Sequence, residues 1–493
     1  MDYNELKEAL TALNTEGDKI ALLKTGRSQP APDQAEIEGA LKPEGHKVMD
    51  HSVRPDKIVL ATQDDVENDR NVVNINSGNG EQVAKRREPV ARIALALQKL
   101  IVKRAVAFIF GNPVTLVADT QSDAEEKVLK ALKSVYFKTK VKSVNKKMAR
   151  NVFETTEAAE YWYTVKKEET SVYGFETPYK LRCTVFSPMN GDTLYPYFDE
   201  SGDMVAFSRE YCREDSNKKK IRFFETFTEK EHIIWKQENK DWEIQKTESN
   251  PIGKIPVVYA CQEKPEWSDV QGLIERLEKL LSNFADTNDY HASPKIFVKG
   301  HILGWAKKGE SGAVIEGDDG AEAKYLSWDQ APEAVKLEIE TLLRMIYTIT
   351  QTPDISFDSV KGLNLSGVAL KLLFMDAHLK ARDHAAETFD DCLQRRNSVV
   401  QAFLKLMNAS DRAFCEACDT IEVEPEINPF IIGDDEQTVK MLTQATGNRA
   451  IMSRETAIEN LGWVNDAEKE LKKILQDEKA ENDAISNAIE TSF

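Results

Sequence analysis

Two cysteines three residues apart are the first candidates for chemistry. Cys415 and Cys418 form a C-x-x-C pair, a spacing that can ligate zinc or cycle between dithiol and disulfide. A zinc site needs a second pair or nearby histidines, and the flanking AFCEACDTIEVEPE contains no histidine. A thioredoxin-like pair would follow a strand in a βαβ unit, whereas this pair follows a long helical pattern. We interpret both cysteines as small side chains at the end of a helix.

Histidines and paired carboxylates on the preceding helical pattern are the next candidates. His378 and His384 lie six residues apart, too far round a helix to share a metal ion, so we expect them to face an interface or solvent. Asp390 and Asp391 are adjacent acids, but carboxylates do not cluster between strands as the metal ligands of a nuclease would. We interpret this acidic pair as part of the polar face of a helix.

Sequence motifs of the common enzyme classes are missing. The chain contains no G-x-x-x-x-G-K phosphate loop, no G-x-G-x-x-G after a strand, no G-x-S-x-G elbow and no H-E-x-x-H. The sequence therefore gives no support for catalysis. We predict that the protein is not an enzyme and that it needs no cofactor and no metal.

One loop has a composition that is unusual for a surface segment. Residues 352–374, TPDISFDSVKGLNLSGVALKLLF, join two helical patterns, and the part from Thr352 to Gly367 holds two glycines and one lysine. A surface loop usually carries polar residues. This one carries large apolar groups at Ile355, Phe357, Val360, Leu363 and Leu365. The loop is therefore either buried or faces something other than bulk water.

The elements that must position this loop are helices. Residues 267–290 and 332–351 each carry an apolar stripe at helical spacing, and the 291–331 segment between them holds short strand patterns separated by glycines. No glycine or proline occurs between Val368 and Ser410, which predicts one helix roughly 60 Å long. A smaller helical tail follows, with a capped start at SRETAIENLG and a highly charged end.

The part of the chain before these helices mixes helix and strand. PVARIALALQKLIVKRAVAFIF predicts a buried helix whose first turn holds Pro89, and Gly111-Asn112-Pro113 ends it. Helical periodicity continues through Asp123–Met148, with basic residues on the outer face. From Ala159 to Ala260, short β-branched and aromatic segments are split by turns such as MNGD and ESGD, which predicts a set of strands.

Composition sets limits on the class of protein. A chain of 493 residues predicts two to four domains, and 41% hydrophobic with 30% charged residues is typical of a globular protein. The net charge of −18 argues against wholesale wrapping by nucleic acid, but it allows a channel through which DNA slides. Six cysteines are too few for a disulfide framework. The sequence lacks a membrane span and its acidic N-terminus is no secretory signal, so we expect synthesis in the cytoplasm and no membrane partner.

The order of these elements resembles the portal proteins of tailed bacteriophages, in particular the family typified by the portal of a siphophage of Bacillus. The resemblance spans residues from about 90 to 475. It rests on AFIFGNPV at the end of the first buried helix, NPIGKIPVVYA, WSDVQGLIERLEKLLSNFADTND, the NLSGVALKLLF junction and SRETAIENLGWVNDAEKELKKI. Each motif is short, and their order and spacing carry the similarity.

The resemblance implies an α+β portal-type fold. It implies a mixed α/β wing at 1–260 together with the long helix 366–409, a two-helix stem at 267–290 and 332–351, a small β clip at 291–331 and a helical crown at 410–493. Proteins of that family form a closed ring, commonly of twelve subunits, at one vertex of the capsid. Double-stranded DNA passes along the ring axis during packaging and ejection. The implied localisation is the virion, after synthesis in the host bacterial cytoplasm.

The resemblance also implies the partners and the sites. The partners are other copies of the chain, DNA, the large terminase, head-completion or adaptor proteins, and the major capsid and scaffolding proteins. The loop 352–365 becomes a tunnel loop that projects into the channel, with Lys361 as the cation that touches phosphate. The tunnel-loop residues are Ser356, Phe357, Asp358, Ser359, Val360, Lys361, Gly362, Leu363, Asn364 and Leu365. The clip residues expected to bind partners are Trp305, Lys307, Lys308 and Trp328.

Two other classes of function compete with this interpretation. A non-viral ring-forming scaffold or adaptor could share the helical plan without moving DNA. A nucleic-acid-processing enzyme subunit would need a phosphate loop or a carboxylate cluster, and the sequence shows neither. An electron-microscope image of a ring with a central hole would separate the ring-forming proteins from the enzyme.

Overall fold

The computed structural model describes residues 1–27, 30–61, 66, 72–76, 82–214, 218–238, 241–291, 296–299, 302–304, 316–317, 322–325, 331–353, 374–430, 435–447, 450–464 and 467–490. Its α-helices are α1 (Tyr3–Ala12), α2 (Glu16–Thr25), α3 (Gln34–Leu41), α4 (Leu97–Phe110), α5 (Asp123–Thr139), α6 (Val141–Thr155), α7 (Gln271–His291), α8 (Ala331–Ile349), α9 (Met375–His384), α10 (Asp390–Met407), α11 (Arg412–Thr420), α12 (Asp435–Thr446), α13 (Arg454–Leu461) and α14 (Ala467–Glu490). Its strands are β1 (Lys57–Leu60), β2 (Val72–Asn76), β3 (Gln82–Glu88), β4 (Thr115–Val117), β5 (Glu157–Thr170), β6 (Thr177–Phe186), β7 (Thr193–Phe198), β8 (Met204–Glu214), β9 (Lys220–Phe227), β10 (Glu231–Glu238), β11 (Asp241–Ser249), β12 (Val257–Cys261), β13 (Ile296–Lys299), β14 (Ile302–Gly304), β15 (Glu316–Gly317), β16 (Glu322–Tyr325) and β17 (Glu424–Glu426). The protein is therefore α+β, as predicted.

Two antiparallel sheets form the strand-rich region that the sequence predicted. One has the order β11-β10-β9-β8-β7 and the other the order β12-β5-β6. Apolar side chains from both sheets are buried in one cluster, because burying apolar surface is the main force that packs one sheet on another. The cluster consists of Ala159, Phe186, Leu194, Phe207, Phe227 and Val257.

The N-terminal helices pack on the five-stranded sheet. Leu6 of α1 and Ile20 and Leu23 of α2 are fully buried against that sheet. The sheet residues in this second cluster are Tyr197, Ala206, Phe224 and Trp235. Capping side chains at Asp2 and Thr15 fix where the two helices begin. The first residues of the chain therefore belong to the sheet's core.

The helix predicted to start at Pro89 begins at Leu97, so that boundary was wrong. Residues 91–95 are extended and lie along α7. Alternate backbone N–H groups of this segment bond to α7 side chains: Ala91 to Asp286 at 2.7 Å, Ile93 to Ser282 at 2.9 Å and Leu95 to Glu278 at 2.8 Å. The donors are two residues apart, about 6.6 Å in an extended chain, and the acceptors are four residues apart, about 6 Å along a helix. The spacing of the donors therefore matches the spacing of the acceptors. These partners replace the hydrogen bonds that a helix would supply.

The helical stretch predicted for Asp123–Met148 consists of two helices. Lys140 takes a left-handed conformation with φ 57°, and α6 restarts at the next residue. Neither glycine, proline nor asparagine marks this break in the sequence. One face of α5 is buried through Val128, Ala131, Leu132 and Val135. Most of the lysines lie on the other side, as the sequence predicted.

In its described part, the long helix predicted for 366–409 runs from Met375 to Met407. A single π-helical turn, Ala385–Phe389, separates α9 from α10. Phe389 in this turn is buried, and its ring lies 5.2 Å from that of Phe110 and 6.0 Å from that of Phe153. A widened turn of this kind reorients the helical faces on its two sides.

A buried ion pair joins α10 to the three-stranded sheet. Arg396 bonds both carboxylate oxygens of Glu160, with Nε 2.9 Å from Oε2, and both side chains are about 2% exposed or less. The indole of Trp162 donates to the same Oε2 at 3.0 Å. Tyr136 donates to Asn397, and burial raises the pKa of Tyr136 to about 12. Pairing with an opposite group offsets part of the cost of burying each charge.

Contacts divide the chain into two compact units, residues 1–354 with 379–429 and residues 355–378 with 430–493. In the second unit Ser453 caps α13, Gly462 ends it with φ 68°, and Arg454 reaches Glu478 on α14 at 2.7 Å. The capped start predicted at SRETAIENLG is thus confirmed. Among the described helices, none is both long and apolar enough to cross a lipid bilayer.

Candidate functional site

The insertion between α7 and α8 is closed by paired strands. β13 runs antiparallel to β16, with Ile296 opposite Tyr325 and Lys299 opposite Glu322. β14 pairs with β15 in the same sense. The predicted partner-binding residues Trp305, Lys307, Lys308 and Trp328 lie outside the described residues, so their role stays a prediction.

The two helices that flank this insertion pack on each other. Ile274 and Leu277 of α7 and Leu342 and Ile346 of α8 are buried. Arg276 of α7 donates to Glu338 of α8 at 2.7 and 2.9 Å, but both side chains are largely exposed, so this pair adds little stability. Apolar burial therefore holds the helix pair together.

A second apolar row on α8 is left in solvent. Leu337, Met345 and Ile349 follow one another at four- or eight-residue spacing and are 65%, 48% and 51% exposed. The helix thus has apolar residues on two sides, and in the part of the chain that the structure describes only one of these sides is buried.

Helix α8 ends in a Schellman motif just before the predicted tunnel loop. The N–H of Thr352 bonds the carbonyl of Tyr347 at 2.9 Å, and the N–H of Gln351 bonds that of Thr348 at 3.1 Å. Gln351 has φ 50°, the left-handed conformation usually given to glycine. The helix therefore stops at Ile349, before Pro353. Arg104 of α4 then donates to the Pro353 carbonyl, which fixes the last described residue before the loop.

A buried carboxylate lies at this junction. Glu266, ahead of α7, bonds Lys380 of α9, and His384 Nε2 lies 2.9 Å from Glu266 Oε1. Lys380 also donates to the Thr350 carbonyl at 2.9 Å, so it joins α9 to the end of α8. Burial by itself would raise the pKa of Glu266, but the His384 hydrogen bond and the Lys380 charge outweigh it and lower the pKa to about 2. The carboxylate is thus charged in the folded protein at neutral pH.

Sequence reasoning missed this junction and placed one of its residues wrongly. His384 was expected at an interface or in solvent, but it packs against the ring of Phe153 at 4.8 Å and contacts Glu266. The spacing of four between Lys380 and His384 was a usable signal, since it puts two carboxylate partners on one helix face. Nothing in the sequence marks Glu266 as their acceptor.

The other candidates for chemistry lie as the sequence predicted. Asp390 and Asp391 begin α10 and bond Gln394 and Arg395, each four residues on. Cys415 and Cys418 lie on α11, and burial raises the pKa of Cys418 to about 12, so its thiol is unreactive at neutral pH. In the described part of the chain, no three histidine, cysteine or acidic side chains come close enough together to hold a metal ion.

The tunnel-loop residues 356–365 lie outside the described residues. The structure describes the chain before the loop, as far as Pro353, and after it, from Phe374. The interpretation of Lys361 as the cation that touches phosphate therefore stays a prediction.

Comparisons with known proteins give the family. Residues 57–484 match the family model described as phage portal protein, SPP1 Gp6-like. No curated protein sequence matches the chain. Similar solved structures include a chain in the neck of an empty gene transfer agent particle computed with C6 symmetry, with a TM-score of 0.38, and one in the virion of a native gene transfer agent particle, with a TM-score of 0.37. Each of the two is 11% identical in sequence to this chain, and each alignment covers 74% of this chain and 88% of the chain in the solved structure. Because the family model matches most of its length, this chain belongs to the phage portal protein family.

Proposed function

We propose that the protein forms a closed ring at one vertex of the capsid and conducts double-stranded DNA during packaging and ejection. Its family membership supports this role, because a portal protein is a structural component of the phage virion. We expect about twelve subunits, in keeping with the sequence resemblance. The same ring would dock the large terminase during packaging and head-completion proteins afterwards.

The observation that carries ring formation is the exposed apolar row on α8. Leu337, Met345 and Ile349 would cost free energy in water, about 25 cal/mol for each Å² left uncovered. The described part of one subunit leaves these three side chains exposed, so a neighbouring copy is the natural cover. Repeating one such contact between unlike surfaces with a fixed rotation closes a ring.

The regions of the family map onto the chain as a set of assignments. We assign the wing to residues 1–260 with the long helix 366–409, the stem to 267–290 and 332–351, the clip to 291–331 and the crown to 410–493. The helix pair α7–α8 with the paired strands between them supports the stem and clip assignments. The two-unit division of the contacts separates most of the crown from the remainder.

The loop 352–365 is assigned to the channel. The chain enters this loop from a fixed point, since Arg104 and Lys380 hold the end of α8. Acidic groups facing the axis would repel phosphate and keep DNA moving, while Lys361 gives a brief contact.

Electron microscopy of matched variants tests ring formation. The unaltered protein should give rings with a central hole in negative stain. Met345→Glu places a charge in the exposed apolar row and should leave single subunits. Lys336→Glu is the control: it changes the net charge of the same helix by more than Met345→Glu does, but it lies outside the row and should still give rings. Rings from both variants would show that α8 does not join subunits.

A packaging assay tests the channel assignment separately. Lys361→Ala should slow packaging only slightly, because one screened phosphate contact is worth about 1 kcal/mol or less. Gly362→Val should block packaging, since a β-branched residue restricts the backbone of the loop. The measurement is the count of DNA-filled heads at equal portal incorporation. Normal filling by the Gly362 variant would remove the loop from the mechanism while leaving the ring intact.

The clip assignment has its own test. Deleting residues 307–320 should leave rings intact and abolish binding of the large terminase in a pull-down. Loss of rings instead would mean that this segment joins subunits.

A further inference from the structure

The strongest charge feature of the described structure lies on helices α5 and α6. Between Lys127 and Arg150 the sequence has nine basic residues and no acidic one, in a chain whose net charge is −18. The basic residues are Lys127, Lys130, Lys133, Lys138, Lys140, Lys142, Lys146, Lys147 and Arg150, and all nine are exposed. We call this surface the α5–α6 basic face.

The arrangement on α6 follows the helix period. Lys142, Lys146 and Arg150 are spaced by four residues and therefore form one row, with Lys147 beside it. The opposite side of the helix is buried through Val144, Met148, Val152 and other apolar residues. The cations are thus fixed on a rigid, well-packed helix and point away from the core.

Among the described residues, most of these cations have no ion pair with a carboxylate. Of the nine, only Lys130 forms an ion pair with a described carboxylate, that of Glu126 at 2.5 Å. Elsewhere in the described structure, buried cations form ion pairs: Arg27 bonds Glu157, Arg209 bonds Glu225 and Arg396 bonds Glu160. Like charges held together without partners repel each other, so such a face gains free energy when an anionic ligand covers it.

We propose that the α5–α6 basic face binds the phosphate backbone of double-stranded DNA without reading its sequence. Eight of the nine cations are lysines, which act as solvated point charges toward phosphate. Protein interfaces are depleted in lysine and enriched in arginine, so this composition favours DNA over an acidic protein. The face is made of different residues from the proposed channel loop and would add a second DNA contact, on well-packed helices.

The test uses full-length protein and closed circular duplex DNA. A closed circle cannot thread through a closed ring, so its binding reports on surfaces outside the channel. Binding is measured by gel shift at several salt concentrations. The variant is K142E/K146E/K147E, and the matched control is K218E/K219E/K220E, which reverses three exposed lysines at the turn between β8 and β9.

We expect the α6 variant to bind the circle at least about tenfold more weakly near 0.1 M salt and the control variant to bind nearly as the unaltered protein does. The slope of log affinity against log salt should become shallower by about 2 to 3 in the α6 variant, because three phosphate contacts are lost. The neutral variant K142Q/K146Q/K147Q should fall between. Ring images and circular dichroism confirm that each variant assembles and folds.

Four results would overturn the proposal. Equal weakening in both reversal variants would reveal an effect of net charge alone. Unchanged binding in the α6 variant would place the contact elsewhere. Failure of both α6 variants to form rings would make the face a contact between subunits. Binding of polyglutamate, with no binding of DNA, would identify an acidic protein as the partner. Each of these results leaves the conduit role untouched, because that role is tested by ring formation and packaging.

Discussion

The two halves of the long helical stretch are each tied to the protein by a carboxylate, but in different surroundings. Arg396 of α10 pairs with Glu160 of β5, and both are buried in the core beside Trp162. On α9, Lys380 and His384 meet Glu266 beside the end of α8, and both are partly exposed. The π turn between the halves allows each to face its own partner. The first pair is a permanent part of the core, whereas the second lies where the chain leaves for the proposed channel loop and can respond to solvent.

The largest expected effect comes from breaking the sealed pair. Arg396→Met leaves Glu160 buried without a counter-charge and should lower the free energy of unfolding by about 3–5 kcal/mol. Urea unfolding followed by tryptophan fluorescence measures it. Arg395→Ala is the matched control, because its pair with Asp391 is exposed and its loss should change little.

A double variant sharpens that result. Adding Glu160→Leu to Arg396→Met removes the stranded charge, and most of the lost stability should return. A double variant as unstable as the single one would show that packing around Arg396, and not the buried charge, sets the loss.

The second-largest effect is the pH dependence of the stability that the Glu266 carboxylate contributes where it meets Lys380 and His384. The pKa of Glu266 is lowered from 4.5 to about 2, so the carboxylate contributes stability above pH 4.5 and loses it as the pH falls toward 2. Glu266→Gln should therefore be less stable than the unaltered protein by about 3 kcal/mol at pH 7. This difference should shrink steadily between pH 4.5 and 2 in urea titrations.

The control for Glu266 is its neighbour Glu263, an exposed residue whose only described ion pair is with Lys264. Glu263→Gln should follow the unaltered protein at every pH. A constant difference between the Glu266 variant and the unaltered protein across this range would mean that its charge is not what stabilises the junction.

The smallest effect concerns the end of α8. Gln351 adopts a left-handed conformation that costs a non-glycine residue about 1 kcal/mol. Gln351→Gly should therefore raise the free energy of unfolding by up to about 1 kcal/mol, while Gln351→Ala should not. Thermal unfolding of the two variants measures the difference, and an equal gain from alanine would refute a backbone origin.

Patterns of local sequence predicted most of the helices and strands. The apolar period placed α7, α8 and the end of the long helix within a few residues, and the alternation between Ala159 and Ala260 predicted the strands. The predicted start of α4 was wrong because residues 91–95, which were expected to be helical, bond to side chains of α7 nearly two hundred residues away. Those acceptors are Glu278, Ser282 and Asp286. Local periodicity carries no information about such distant partners.

The candidate site was less accessible to this reasoning. The sequence named the loop and the insertion from composition and family resemblance, and both assignments stay predictions. The Glu266 junction was missed because its carboxylate meets Lys380 and His384 only after the chain folds back more than a hundred residues later. The break at Lys140 was missed because a lysine gives no signal for a left-handed turn.

The extended segment that lies along α7 has a mechanical consequence. Its three hydrogen bonds, from Ala91, Ile93 and Leu95, lie side by side along the helix axis. A pull along that axis loads all three at once in shear, whereas a pull across it would open them one after another. Sliding by one helical turn toward the start of α7 would place Ile274, which has no side-chain acceptor, opposite the N–H of Leu95. Helix α7 can therefore transmit an axial load to the N-terminal part of the chain without slipping.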